Sequence, residues 1–218
     1  MPDSVFFDLD NTLIAGDSDY LWGEYLAAVG AVPAREHRQE NQRFLEQYQC
    51  GQLDPEEFLA FQLQPLSLHP IAKLRQWRRE YLDQVIEPLI LPKAVELVGH
   101  HRALDQQLVL ATSTNSFITR PIARRFGIEH LIAAQPEIVA GRFTGRINGQ
   151  ASYGPAKLRW AKSWLKCHHG SLQQSWFYSD SHTDLPLLHA VGHAFAVDAD
   201  PQLLAVAKSL GWDCLSLR

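Results

Sequence analysis

The spacing of apolar positions changes twice along the chain, and those changes divide it. Val5-Phe6-Phe7 opens a strand-forming run that ends in Asp8-Leu9-Asp10-Asn11-Thr12-Leu13, with two carboxylates one residue apart. Side chains alternate along a strand, so Asp8 and Asp10 are expected to leave one face together. After Leu13 the spacing turns helical. Leu21, Trp22, Tyr25, Leu26 and Val29 form a stripe ending at Gly30, with Asp17 or Ser18 placed to cap its start. A more charged helix runs through Phe44, Leu45 and Tyr48 to Gly51. Asp54-Pro55-Glu56-Glu57 is a helix start, an N-cap carboxylate followed by proline at the first helical position. Pro65 and Pro70 punctuate the next stretch, and a fourth helix carries Leu74, Trp77, Tyr81 and Val85. No strand pattern interrupts this block. It predicts an all-helical insertion over residues 16–87, with flexible connections near 14–16 and 87–92.

From there strands and helices alternate. A helix over 93–104 leads to a buried-type strand at 107–112 and a helix over 117–126. Residues 131–146 read as short extended pieces with a turn near Gly141. A helix carrying Leu158, Ala161, Trp164 and Leu165 precedes a strand at 175–178, a helix at 184–190, a strand at 194–197 and an edge strand within 212–217. This rhythm predicts an α/β core, residues 1–15 and 88–218, whose mostly parallel sheet is covered by helices on both faces.

With 46% hydrophobic and 20% charged residues, the 218-residue chain has the composition of a globular protein able to bury a core. A net charge of −4 gives no reason to expect nucleic acid as a partner. The first residues carry no basic region and the apolar run breaks at Asp8, so neither a signal peptide nor a membrane span is expected. Cys50, Cys167 and Cys214 lack CxxC spacing and fit reduced thiols in a cytoplasmic protein. Trp160 and Trp164, four apart, read as core packing. The pairs His100-His101 and His168-His169 read as solvated, since adjacent histidines do not share a helix face.

Two carboxylates as close as Asp8 and Asp10 repel unless a cation or a proton sits between them. The loop beyond a buried strand's carboxyl end is also where open α/β sheets place ligands. Suitable partners come later in the chain: Thr112 after the second apolar run, Lys157 after Gly154-Pro155, and Ser179-Asp180-Ser181-His182-Thr183-Asp184 after the strand at 175–178. Singly, each reads as a turn, a helix cap or a surface lysine. Jointly, they resemble the four motifs of the haloacid dehalogenase superfamily, on its phosphatase branch, over nearly the whole chain. The insertion after the first motif resembles the group that contains phosphoserine phosphatase and a class of histidinol-phosphate phosphatases.

The resemblance implies a Rossmann-like sheet with an inserted all-helical cap, and a Mg²⁺-dependent phosphatase working through an aspartyl-phosphate. It implies Asp8 as nucleophile and Asp10 as general acid, then base. Mg²⁺ would be held by the carboxylates of Asp8 and Asp180 and the backbone carbonyl of Asp10, with Asp184 orienting metal-bound water. Thr112, amides at Ser113 and nearby, and Lys157 would hold the phosphate. In the phosphoserine phosphatases a Glu at the place of Asp17 faces the substrate's amino group. Asp17 is therefore expected either to read an ammonium or imidazolium on the leaving group, or only to cap its helix. The implied substrate is a small amino-alcohol phosphate such as histidinol phosphate or phosphoserine. The alternatives are a phosphomutase or phosphotransferase of the same superfamily, a broad-specificity phosphatase, or a binding module, which would tolerate loss of the charged set. Two departures stand out: Ser179 where Gly is commoner, and Thr112-Ser113-Thr114 in place of a Ser-Gly-Gly type of loop. The second argues against a specific assignment to phosphoserine. Oligomeric state is not legible.

Overall fold

A computed structural model of the chain describes residues 3–149 and 151–218. β1 (Ser4–Phe7) is followed, with no intervening strand, by α1 (Ser18–Ala28), α2 (Ala34–Gln49), α3 (Pro55–Leu68) and α4 (Ile71–Tyr81). Then come α5 (Pro92–Ala103), β2 (Gln107–Ala111), α6 (Ser116–Arg125), β3 (His130–Ile132), and a hairpin of β4 (Gln135–Val139) and β5 (Arg142–Asn148). The chain continues through α7 (Pro155–Cys167), β6 (Ser175–Ser179), α8 (Leu185–Leu188), β7 (His193–Val197), α9 (Pro201–Leu210) and β8 (Asp213–Leu215).

The main sheet has the order β3-β2-β1-β6-β7-β8, and every neighbouring pair is parallel. β1 lies at its centre, with Phe6 in register with Val109 on one side and Phe177 on the other. The chain moves from β1 towards β2 in one direction and later to β6 in the other. The carboxyl end of β1 is therefore the switch point, where such sheets open a crevice.

Alternation along β1 sorts the core onto two faces. Val5 and Phe7 pack with Leu108, Leu110 and Tyr178 and with residues of α5 and α6, while Phe6 packs with Val109, Phe177 and the inner faces of α7, α8 and α9. Full burial of each of these aromatic side chains stabilises by roughly 1.5–3 kcal/mol.

The first cluster runs on into the helical insertion. Trp22 of α1 meets Tyr81 and Phe117 edge-on, with ring centroids 5.1 and 6.2 Å away, so α1 rests on both α4 and α6. α1 and α2 cross closely at Gly23, where an added Cβ would lie 2.8 Å from Asn41 Nδ2. The hairpin leans on α3, with Gly145 (φ +81°) facing Ser67.

Several expectations are corrected. α4 ends at Tyr81, and the turns reaching Val85 wind as a π-helix over Leu82–Ile86 before a short 3₁₀ turn. The two connections to the insertion run side by side: Ala15 N–H donates to the Leu89 carbonyl (2.8 Å) and Ile14 bridges Ile90. His101 is buried, bonded to Gln106 and to the Tyr178 hydroxyl, because it projects from the sheet-facing side of α5. Trp164 packs edge-on against Phe6, but Trp160 is 39% exposed and stays at the surface while its neighbour Ala161 is buried. The three cysteines are exposed and unpaired. Among the described residues no helix is long and apolar enough to cross a membrane.

Candidate active site

The site grows from the end of β1. Asp8 N–H still donates to the Tyr178 carbonyl (2.9 Å), continuing the pairing with β6 by one residue. The Leu9 carbonyl then collects the amides of Thr12, Leu13 and Ile14, closing a tight loop. Within it Asn11 adopts φ 56°, a left-handed conformation that asparagine tolerates better than most residues. Asp8 and Asp10 line one cavity, as the alternation predicts, although each has its own partners.

Lys157 partners Asp8. Gly154 has φ 53° and ψ −126°, a combination open essentially to glycine alone, and Pro155 follows at the first turn of α7. This turn sends Lys157 inward, where it is 3% exposed. Its Nζ donates to Asp8 Oδ1 at 2.9 Å and to Asp184 Oδ2 at 2.7 Å. Burial alone would lower the lysine's pKa, but the carboxylates of Asp184 and Asp8 more than offset that and raise it. Burial lifts the Asp8 carboxyl to about 7 even with the ammonium beside it. Ser179 Oγ donates to the same Asp184 oxygen (2.7 Å), so the serine that replaces the commoner glycine anchors Asp184.

Asp10 accepts the Ser18 N–H on Oδ1 (2.7 Å) and the Thr114 hydroxyl on Oδ2 (2.9 Å). Burial, then the charge of Asp17, lifts its carboxyl to about 6. Thr114, like Ser179, stands where a glycine was the family expectation. Thr112 is fully buried at the end of β2, with its Oγ1 accepting the Thr114 N–H (3.1 Å). Ser113 and Thr114 line the cavity, whereas Thr112 sits behind them.

Thr12 ties the β1 loop to the β6 loop. Its Oγ1 accepts the Asp180 N–H (3.0 Å) and donates to Asp180 Oδ1 (3.1 Å). Burial, reinforced by the charges of Asp8 and Asp184, raises the Asp180 carboxyl well above the usual range. Asp184 Oδ1 is buried without a hydrogen-bond partner. Among the described residues no three His, Cys, Asp or Glu side chains form a ready cage. The expected set needs only two carboxylates and a main-chain carbonyl. An all-oxygen donor set with surplus negative charge and an orphaned oxygen fits a hard divalent cation that keeps several waters.

Asp17 lines the cavity and also caps α1, its Oδ1 accepting the amides of Asp19 and Tyr20 at 2.9 Å each. One oxygen caps, and the other is free of the backbone. The sequence pattern passed over Asp19, Tyr48 and Tyr153, which also line the cavity. Tyr48 reaches from α2 to hydrogen-bond Ser181 Oγ (2.7 Å) in the loop after β6. His182 stands beside the site but is held by Asp200, which accepts from its backbone N–H and contacts its ring.

Residues 5–189 match the haloacid dehalogenase-like hydrolase family. A histidinol-phosphatase of Neisseria meningitidis serogroup C is 38% identical over the full length of both chains. A phosphoserine phosphatase of Mycobacterium tuberculosis is 31% identical, covering 99% of this chain and 71% of its own. The crystal structure of a protein of unknown function from Bordetella pertussis Tohama I superposes with TM-score 0.93 at 40% identity, covering 99% of this chain and 98% of that one. A phosphoserine phosphatase captured as a phospho-aspartyl intermediate analogue shares the fold, with TM-score 0.73 over 100% of this chain and 94% of that one, at 18% identity. The sheet order, the acidic crevice at its switch point and these likenesses agree, and the chain belongs to the haloacid dehalogenase-like hydrolase family.

Proposed function

We propose that this phosphoric monoester hydrolase cleaves a small amino-alcohol phosphate in two steps through an aspartyl-phosphate on Asp8. The observation that carries the reading is the pair of carboxylates, Asp8 and Asp10, in one cavity with different surroundings. Asp8 is held against an ammonium and keeps its second oxygen for attack. Asp10, lifted to about 6, can both hold and release a proton near neutrality.

In the first step the Asp8 oxygen bonds to phosphorus as the ester P–O bond breaks, and Asp10 gives the leaving alkoxide its proton. In the second, Asp10 takes a proton from water, whose oxygen bonds to phosphorus as the acyl-phosphate P–O bond breaks and Asp8 is regenerated. Lys157 holds Asp8 and Asp184 in place, and Ser113 offers a donor to the phosphoryl oxygens while Thr114 holds Asp10. Thr112 fixes that loop from behind. Mg²⁺, held by Asp8, Asp180 and the carbonyl of Asp10 with Asp184 behind it, would neutralise charge on the phosphoryl group.

Residues 16–87 would act as a cap that closes on substrate, over a core of residues 1–15 and 88–218. The adjacent connections and the π-helical turn at the exit support a shared hinge. Full-length similarity to a histidinol-phosphatase and the position of Asp17 support an aminated leaving group. The exposed free thiols fit a cytoplasmic setting. The test is a panel of metabolite phosphates with Mg²⁺, scored by kcat/KM. Amino-alcohol phosphates should lead it. Hydrolysis of no ester, or transfer of phosphate to an added alcohol with no net release, would overturn the reading.

A further inference from the structure

Outside the cavity, where the insertion meets the core, Arg75, Arg78, Arg79 and Arg124 gather without an acid to balance them. Arg78 is the centre. It reaches from α4 to the first turn of α6, where its Nη1 donates to the Phe117 carbonyl (2.6 Å). Its guanidinium lies over the Phe117 ring, 4.4 Å from the centroid. Its Nε is buried and has no hydrogen-bond partner. Arg75, one turn before it on α4, and Arg79, next to it, are exposed. α6 adds the exposed Arg124, two turns beyond Phe117 on the same face. Among the described residues none of these four arginines forms an ion pair. The acids of this region are engaged elsewhere. Glu87 pairs with Arg125, which also feels the charge of Asp83, and Glu80 accepts from Gln76 and the Tyr25 hydroxyl. Burial, then the charges of Arg75, Arg124 and Arg79, lower the pKa of Arg78. A half-buried guanidinium among like charges, with a buried donor left unmet, calls for an anion that the chain itself does not supply.

We propose that Arg75, Arg78 and Arg124, with Arg79 at the edge, bind a doubly charged phosphate group, and that the bound anion ties α4 to α6. Guanidinium forks match phosphate oxygens in geometry and charge, and arginines converging from two helices suit a dianion better than a single carboxylate. The place matters as much as the charge. α4 belongs to the insertion and runs straight into the π-helical turn at Leu82–Ile86, whereas α6 begins two residues after Thr114 of the cavity wall. An anion seated between these helices would oppose separation of the insertion from the core. The site is distinct from the substrate cavity, and its test needs no turnover, so it stands or falls apart from the phosphatase reading.

The experiment follows thermal unfolding and amide hydrogen exchange with pyrophosphate, orthophosphate or glycerol phosphate, against chloride at matched ionic strength. EDTA is present throughout, so that no metal draws anions into the acidic cavity. At about 100 times its Kd, pyrophosphate should raise the Tm of wild-type protein by about 5–10 °C. It should also slow exchange over α4 and the turn at Leu82–Ile86 by at least about threefold. The double variant Arg75→Gln, Arg124→Gln changes two exposed positions. It should bind about 10–100-fold more weakly and show less than half of each effect. Lysine at both positions should restore part of the affinity. Orthophosphate and glycerol phosphate separate a free phosphate from an esterified one, and binding of either that the glutamines weaken supports the site. No rise in wild-type Tm with any of the three anions overturns the proposal, whatever the variants do. So does an equal rise in wild-type protein and the glutamine variant, because the anion then sits elsewhere. A rise in Tm with unchanged exchange at the turn refutes the tie between α4 and α6.

Discussion

Replacing Lys157 by methionine removes one ammonium from between two buried carboxylates while nearly conserving volume. Among the described side chains its Nζ is the hydrogen-bond donor to Asp8 and one of two to Asp184, the other being the Ser179 hydroxyl. Breaking a buried ion pair by deleting one partner costs about 3–5 kcal/mol, because the partner's charge stays behind without compensation. For a chain of this size each kcal/mol lowers Tm by roughly 2–4 °C, so the variant should melt about 6–20 °C lower without Mg²⁺. The loss must depend on pH. Burial already holds the Asp8 carboxyl at about 7, above its ordinary value, and removing the ammonium raises it further. A carboxylate whose folded pKa lies above its unfolded one costs stability as pH rises through the interval between them. At about pH 6 Asp8 is largely protonated in both proteins, and its share of the difference between them is small; at about pH 8 it is ionised in the native protein and strained in the variant. Urea and thermal unfolding at both pH values measure this. A loss below about 1 kcal/mol at the higher pH, or one that does not grow with pH, would refute the electrostatic reasoning.

Asp8→Asn should fold normally and release no phosphate above background, because an amide can neither attack phosphorus nor balance a cation; turnover near that of the native protein rules out the covalent route. Chelation by EDTA should abolish phosphate release and Mg²⁺ should restore it, while Ca²⁺ should not, owing to its larger and looser coordination shell. Activity that survives exhaustive chelation removes Asp8 and Asp180 from any metal role. Tyr48→Phe deletes the bond from α2 to Ser181 and should cost about 0.5–1.5 kcal/mol while raising KM more than it lowers kcat. Unchanged KM and Tm together would mean that this contact does not hold the insertion over the site.

The order of elements was legible because the period of the apolar pattern switches cleanly: from two at Phe7 to helical at Leu21, and back to strand-like at Leu108. The turn at Gly154-Pro155 was legible for a local reason, since its backbone suits glycine and its next residue suits proline. Readings failed where tertiary packing chose between residues that look alike in sequence. His101 and His100 are neighbours on α5, but only His101 meets Tyr178. Trp160 and Trp164 share a face of α7, but only Trp164 reaches Phe6. The winding of residues 82–86 had no signal, because a π-turn needs no particular residue type. Asp19 and Tyr48 were invisible for the same reason: each is an ordinary polar position on an amphipathic helix until the crossing of α1 and α2, set by Gly23 against Asn41, turns it towards the cavity.

Two of the three departures from the family's glycines carry a physical lesson of their own. Neither Thr114 nor Ser179 has positive φ, so nothing in either loop's backbone demands glycine. A side chain at each position is then free to act, and both act on carboxylates. Thr114 donates to Asp10 and Ser179 to Asp184. A hydroxyl bonded to the ionised form of a buried acid favours that form and fixes its orientation, while burial pushes the other way. The Thr114 contact therefore lowers the pKa of Asp10 from the value burial alone would set, keeping its proton exchangeable near neutrality. Ser179 holds Asp184 Oδ2 and leaves Oδ1 without a partner. What reads in the sequence as erosion of a motif reads in the structure as two added hydrogen bonds, each placed on an acid whose charge the chemistry has to control.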